Sequence, residues 1–315
     1  MIHGPNVMTW PPGSSPALAV GQRWPDDPRM TKTLLSIGHG YSAQALARLL
    51  LPRGWRIIAT TRSPEKAARL SAEGVEPVIW PGTDLAGLLA GATHLLSSVS
   101  PGAEGDPVLA ELGPELARAQ HLEWAGYLST TGVYGDHGGG WVDEDTPLTP
   151  ATERGSARVT AETGWQALNL PLHIFRLAGI YGPGRGPFAK LRAGTARRII
   201  KDGQVFSRIH VDDIAQVLAA SIARPNPGAI YNVCDDDPAP PQDVIAHAAT
   251  LLGLPVPPAV AIDAAPMSPM ARSFYAESKM VRNDRIKAEL GVALKYPTYR
   301  DGLSALLAEE GLDPA

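Results

Sequence analysis

The 315-residue chain has a single cysteine, Cys234, so no disulfide can close within it, and no Cys/His cluster at metal-ligand spacing surrounds that thiol. No metal is therefore expected, and a reducing, cytoplasmic setting fits. Positive charge is not in excess: 28 Lys and Arg stand against 32 Asp and Glu, a net charge of −4. That balance disfavours a nucleic-acid partner, because neutralising phosphates takes a surplus of cations. Aromatic residues make up only 6%, and no apolar run approaches the roughly 20 residues a membrane-spanning helix needs. What remains, 44% hydrophobic residues in a chain of this length, is the composition of a soluble globular protein. It is long enough for one large domain or for a domain with an added lobe.

Residues 1–29 carry Pro5, Pro11, Pro12, Pro16, Pro25 and Pro28, and their only apolar run is Ala17 to Val20. With no basic start and no longer apolar stretch, the segment does not read as a secretory signal. It is expected to be a disordered tail or the product of a misassigned start, since Met30 immediately precedes the first strand-like run.

From Met30 onward the chain alternates. Strands are expected at Thr33–Gly38, Arg56–Thr61, Glu76–Trp80, Thr93–Val99, Trp124–Thr130 and Leu172–Leu177, separated by helices at Ala43–Leu51, Pro64–Ala72, Leu85–Leu89, Val108–Ala119 and about 151–168. Strands that alternate with helices argue for right-handed βαβ units. The predicted fold class is α/β, a doubly wound parallel-sheet NAD(P)-binding Rossmann fold. The core is expected over 30–182, with 183–315 completing it and forming a small C-terminal substrate lobe.

Gly38-His39-Gly40-Tyr41-Ser42-Ala43 lies between the first strand and the first helix. Gly38 and Gly40 permit the tight turn and close approach that a pyrophosphate requires, and small Ala43 lets the helix pack on the sheet. Helix-start amides from Tyr41 and Ser42 would face the anion. At the end of the second strand, Ala59-Thr60-Thr61-Arg62-Ser63 offers no carboxylate for a ribose diol. Arg62, with Thr61 or Ser63, suits a 2′-phosphate instead, so NADP is expected ahead of NAD; the alternative is a solvated loop arginine.

Leu128-Ser129-Thr130-Thr131-Gly132-Val133-Tyr134-Gly135 is followed in order by Phe175-Arg176-Leu177-Ala178-Gly179-Ile180-Tyr181-Gly182-Pro183-Gly184-Arg185, by Arg208-Ile209-His210-Val211-Asp212-Asp213 and by Tyr231-Asn232-Val233. This series resembles the extended short-chain dehydrogenases/reductases, the NAD-dependent epimerase/dehydratase family. The resemblance spans nearly everything from Met30 onward. It implies a Ser/Thr that binds a substrate oxygen, here Thr130, with Thr131 beside it, and places Ser98 and Val99 next to the cofactor. It also implies a Tyr-x-x-x-Lys pair for proton transfer. Those two positions fall on Arg154 and Arg158, so the i, i+4 spacing survives and the tyrosine does not.

An arginine stays protonated near neutrality, so neither can exchange a proton. Arg158 is expected to reach the nicotinamide ribose and Arg154 to polarise an oxygen; the alternative is that both pair with Glu153 and Glu162. The pattern is similar to the tyrosine-less branch of these reductases. Tyr134 is a further candidate for catalysis, with Arg185 and Arg192 for an anionic, possible nucleotide-sugar-like substrate. The expected function is that of an NADP-preferring oxidoreductase, epimerase or dehydratase acting on a small molecule, with a non-catalytic NADP(H)-binding sensor as the alternative. A homodimer through Val108–Ala119 and 151–168 is expected by analogy.

Overall fold

The computed structural model describes residues 32–311, so the expectations for residues 1–29 lie outside it. Seven strands build the central sheet: β1 (Thr33–Ile37), β2 (Arg56–Thr61), β3 (Glu76–Ile79), β4 (His94–Ser97), β5 (Trp124–Thr130), β6 (Leu172–Leu177) and β7 (Ile230–Val233). All pair in parallel, in the spatial order β7-β6-β5-β4-β1-β2-β3. Every residue of β1 and β6 is buried, as expected for strands covered on both faces. Alternation then divides the core. Leu34, Leu96 and Phe175 pack on one side of the sheet, and Leu35, Leu95 and Ile174 on the other. Each such side chain contributes roughly 1.5–3 kcal/mol by leaving water.

The helices are α1 (Tyr41–Leu50), α2 (Pro64–Ala72), α3 (Ala86–Ala90), α4 (Pro107–Leu116), α5 (Glu153–Gln166), α6 (Phe188–Arg192), α7 (Val211–Ala223), α8 (Pro241–Leu251), α9 (Pro269–Phe274), α10 (Asp284–Leu290) and α11 (Tyr299–Glu309). Local chemistry starts several of them. Ser63 and Asp106 cap α2 and α4, each followed by a proline at the first helical position. α1 begins two residues before its predicted start, because Gly40 supplies the extended residue ahead of the helix. α4 stops short of Ala119, and the residues after Leu116 tighten into turns.

From β3 the chain returns to place β4 beside β1, so a crevice opens above the carboxyl ends of these two strands. Over it lies a smaller lobe. α6, α8 and α11 enclose a core of their own around Phe188, Leu191, Ala248, Tyr299 and Leu303. Short parallel pairings tie the lobe to the sheet domain: Gly179–Tyr181 with Arg208–His210, and Trp141–Val142 with Met280–Val281. Among the described residues no helix is long and apolar enough to cross a membrane.

Candidate active site

β1 runs into Gly38, whose φ is +76°, and a Cβ there would lie 2.6 Å from Val99 Cγ2. Only glycine fits both the dihedral and the space. Gly38 N donates to Thr60 Oγ1 at 2.8 Å and the Ser98 hydroxyl donates to the Gly38 carbonyl, so β2 and the end of β4 hold the turn from two sides. Gly40 differs. A Cβ on it would meet nothing nearer than the Gly38 carbonyl at 3.5 Å, so the fold does not demand glycine there. Its place is on the crevice wall. No side chain caps α1, and Gly40 to Ala43 line the crevice, presenting first-turn amides to it. This cradle fits the pyrophosphate of a dinucleotide. His39, between the two glycines, is buried with Nδ1 2.9 Å from Ser36 Oγ, and burial pushes its pKa down to about 4, so the ring is neutral.

At the adenosine end Arg62 is exposed on the loop after β2. Its expected helpers are occupied: Thr61 Oγ1 accepts from Ser63 N, while Ser63 Oγ accepts from Lys66 N and donates to Glu65. A cation not foreseen from the sequence stands at the glycine turn. Lys66 Nζ donates to the His39 carbonyl, which brings a second positive charge from α2 to the glycine turn.

The crevice continues into a cavity of about 900 Å³. Thr130, Thr131 and Gly132 from the end of β5 and Arg154 and Arg158 from α5 form its sheet-domain wall. Thr130 Oγ1 accepts from Gly132 N at 3.2 Å, which leaves its hydroxyl proton available to a ligand. Arg158 is anchored: Nη1 donates to Tyr127 OH at 2.8 Å and to the Leu128 carbonyl at 2.9 Å, and Nη2 to Ser100 Oγ at 3.0 Å. Arg154 lies on the Phe274 ring, 4.5 Å from its centroid, with Nη2 3.5 Å from Ser273 Oγ. Neither arginine meets Glu162, which is buried against Arg176 at 2.8 Å and accepts from Ser129 Oγ.

Tyr134 is not placed for catalysis. It is fully buried, donates to Asn232 Oδ1 at 2.7 Å and accepts from Arg176 at 2.9 Å, and burial pushes its phenol up to about 12. Arg192 is likewise corrected: it is exposed on α6, outside the cavity wall, and Lys190 beside it is exposed too. Arg185 does line the cavity, 5.7 Å over the ring of Tyr41, whose hydroxyl donates to the Pro183 carbonyl.

The lobe supplies the facing wall through Phe206, Arg208, Phe274, Tyr275, Glu277 and Lys279, none of which the sequence singled out as a site residue. Arg208 opens the Arg-Ile-His-Val-Asp-Asp segment, but only its packing places it in the cavity. His210 of that segment caps α7 by accepting from Asp212 N. Its buried ring has its pKa lowered to about 4. Tyr181 also lines the cavity, but its hydroxyl points at α11: a Cβ on Gly302 would sit 2.0 Å from it.

No family model matches the chain. Protein YeeZ of Escherichia coli strain K12 is 31% identical over 286 residues, covering 84% of this chain and 97% of that protein. A putative NAD-dependent epimerase/dehydratase from Methylobacillus flagellatus is 28% identical, with a TM-score of 0.68, over 89% of this chain and 99% of that one. The chain belongs to the NAD-dependent epimerase/dehydratase family of extended short-chain dehydrogenases/reductases. This family member also matches a conserved protein of unknown function from Silicibacter pomeroyi DSS, at 66% identity and a TM-score of 0.85 over 89% of this chain and 99% of that one. A nicotinamide cofactor accords with the family and with the cradle at Gly38 and Gly40.

Proposed function

We propose that the protein is an NADP-preferring oxidoreductase of the tyrosine-less kind, acting on a small molecule with a reducible carbon–oxygen bond. The observation that carries this reading is the continuous cavity from the uncapped start of α1 to Thr130 and on to the lobe. Gly38, Gly40, Tyr41, Ser42 and Ala43 would hold the pyrophosphate, Arg62 and Lys66 a 2′-phosphate, and Ser98, Val99 and Arg158 the wall beside the nicotinamide end. A bound nicotinamide supplies a hydride acceptor or donor.

The chain's own groups do the rest. Thr130 donates its hydroxyl to the substrate oxygen, with Thr131 next to it. Arg154 offsets negative charge developing there without exchanging a proton. For the proton, Tyr134 is sealed, Tyr41 donates to Pro183 and Tyr181 faces Gly302, which leaves Tyr275. Its phenol is protonated at neutral pH and lines the cavity, so it can donate to the substrate oxygen, as a weaker acid than a free tyrosine because burial raises its pKa.

The cofactor assignment is tested by Arg62→Glu and Lys66→Glu. Both changes are expected to move the preference from NADPH toward NADH in equilibrium titrations. An unchanged preference in the double variant overturns it.

A further inference from the structure

Arg176 and Arg208 both pack into the described fold, and of the two only Arg176 has a carboxylate within ion-pair distance. Arg176 is buried and paired with Glu162 at 2.8 Å. Arg208 makes no ion pair among the described residues. Its Nη1 donates to the Phe206 carbonyl at 2.8 Å and the Ala239 carbonyl at 3.1 Å, and no described residue uses its Nε or Nη2. Asp235, the acid that acts on it most strongly, is buried with Oδ2 unpartnered, and burial raises its pKa; it makes no ion pair with Arg208. Burial also lowers the pKa of Arg208 itself. A half-buried guanidinium with an unused edge on the wall of a cavity is placed to take an anionic group from a ligand.

The surroundings restrict that ligand. Arg208 lies over the Phe206 ring, 6.0 Å from its centroid, and Phe206 meets Tyr275 edge to face at 5.5 Å. Phe274 adds a third ring and is 51% exposed. On the same wall Lys279 is satisfied by Glu277 at 2.6 Å; of the other cavity arginines, Arg185 lies over Tyr41 and Arg154 over Phe274, where the proposed reaction uses it at the reacting oxygen. One open guanidinium edge matches the two oxygens of one carboxylate, and the rings match a flat apolar body.

We propose that the substrate of this site is a planar, conjugated or aromatic monocarboxylate, its carboxylate on the free edge of Arg208 and its ring system among Phe206, Phe274 and Tyr275. This rests on the cavity's being the substrate site of the oxidoreductase proposed above.

The test is a calorimetric titration of the full chain with cinnamate and, separately, with cinnamyl alcohol, which shares the ring and lacks the charge. Each is run with and without saturating NADPH. Cinnamate is expected to bind at least about tenfold more tightly than the alcohol, and Arg208→Gln to remove that difference while NADPH affinity is kept. Phe274→Ala, at an exposed position, is expected to weaken both probes together. Unfolding midpoints report whether the Arg208 variant is folded; if it is not, Arg208→Lys takes its place, and is expected to weaken cinnamate but not the alcohol. Equal binding of acid and alcohol, no cinnamate binding, or a cinnamate affinity unmoved in the folded Arg208 variant overturns the proposal. A protein that binds cinnamate through Arg208 yet no nicotinamide cofactor would instead refute the oxidoreductase reading.

Discussion

Arg158 Nη1 lies 2.9 Å from the carbonyl oxygen of Leu128, and the same guanidinium reaches Tyr127, Val99 and Ser100. At the position where the family resemblance implies a lysine, this chain therefore clamps the ends of β4 and β5 to α5. A lysine would offer three donors from one point rather than a planar fork. Arg158→Lys is expected to lower stability by about 2 kcal/mol in urea unfolding. An unchanged midpoint would show the clamp to be idle.

Buried titratable groups give the protein an expected stability maximum near pH 6.5. Burial is the largest cause of lowered pKa values at His39, His94, His173 and His210, to about 4, 3, 4 and 4 from an ordinary 6.5. Below pH 6.5 the unfolded chain therefore takes up protons that the native one refuses, and stability falls toward pH 4. Asp213 and Asp235 shift the other way, to about 6 and about 8 from an ordinary 3.8, again chiefly by burial. Their contribution is full below 3.8 and fades as pH rises through 6 and 8. The histidines outnumber the aspartates, so stability climbs to about pH 6.5 and then declines. Urea titrations at about pH 5, 6.5 and 8 check this, and Asp235→Asn is expected to flatten the upper limb. A steady rise to pH 8 contradicts it.

The two glycines of the turn are separable. Gly38→Ala combines a φ of +76° with a Cβ 2.6 Å from Val99, and is expected to cost about 2 kcal/mol or more of stability. Gly40→Ala meets nothing closer than 3.5 Å, and is expected to leave stability within about 0.5 kcal/mol while weakening cofactor binding about tenfold. Cofactor affinity untouched by Gly40→Ala would mean that no ligand approaches that backbone.

Tyr134→Phe is expected to destabilise by about 1–2 kcal/mol, because Asn232 Oδ1 loses its donor and Arg176 an acceptor in a sealed setting. Cofactor affinity should not change. A loss of affinity with stability intact would return Tyr134 to the binding site.

Tyr134 also marks where sequence reading stops. The strands were legible because β1, β4 and β5 are apolar runs between glycines, prolines and polar turns, and the cradle because Gly38 and Gly40 sit between a strand and a helix. Nothing in Val133-Tyr134-Gly135 says that the short turn after Thr130 aims the ring inward, toward Asn232, nearly 100 positions on. The facing wall was hidden for the same reason. Arg208 and Tyr275 come from segments with no shared pattern, brought together only when the lobe folds over the sheet. Arg192 stood out in the sequence as a candidate for an anionic substrate, yet it lies exposed on α6, outside the cavity wall. Arg208, isolated in sequence, reaches the cavity.

The proposed cofactor site seats a nicotinamide dinucleotide in the crevice over β1 and β4, with its 2′-phosphate on Arg62 and Lys66. Calorimetric titration of the full chain with NADPH, NADP, NADH and NAD tests it most directly. Saturable binding at one site per chain is expected, tighter for the phosphorylated pair and weakened in Gly40→Ala. Absence of binding by all four, in protein shown to be folded, would contradict it.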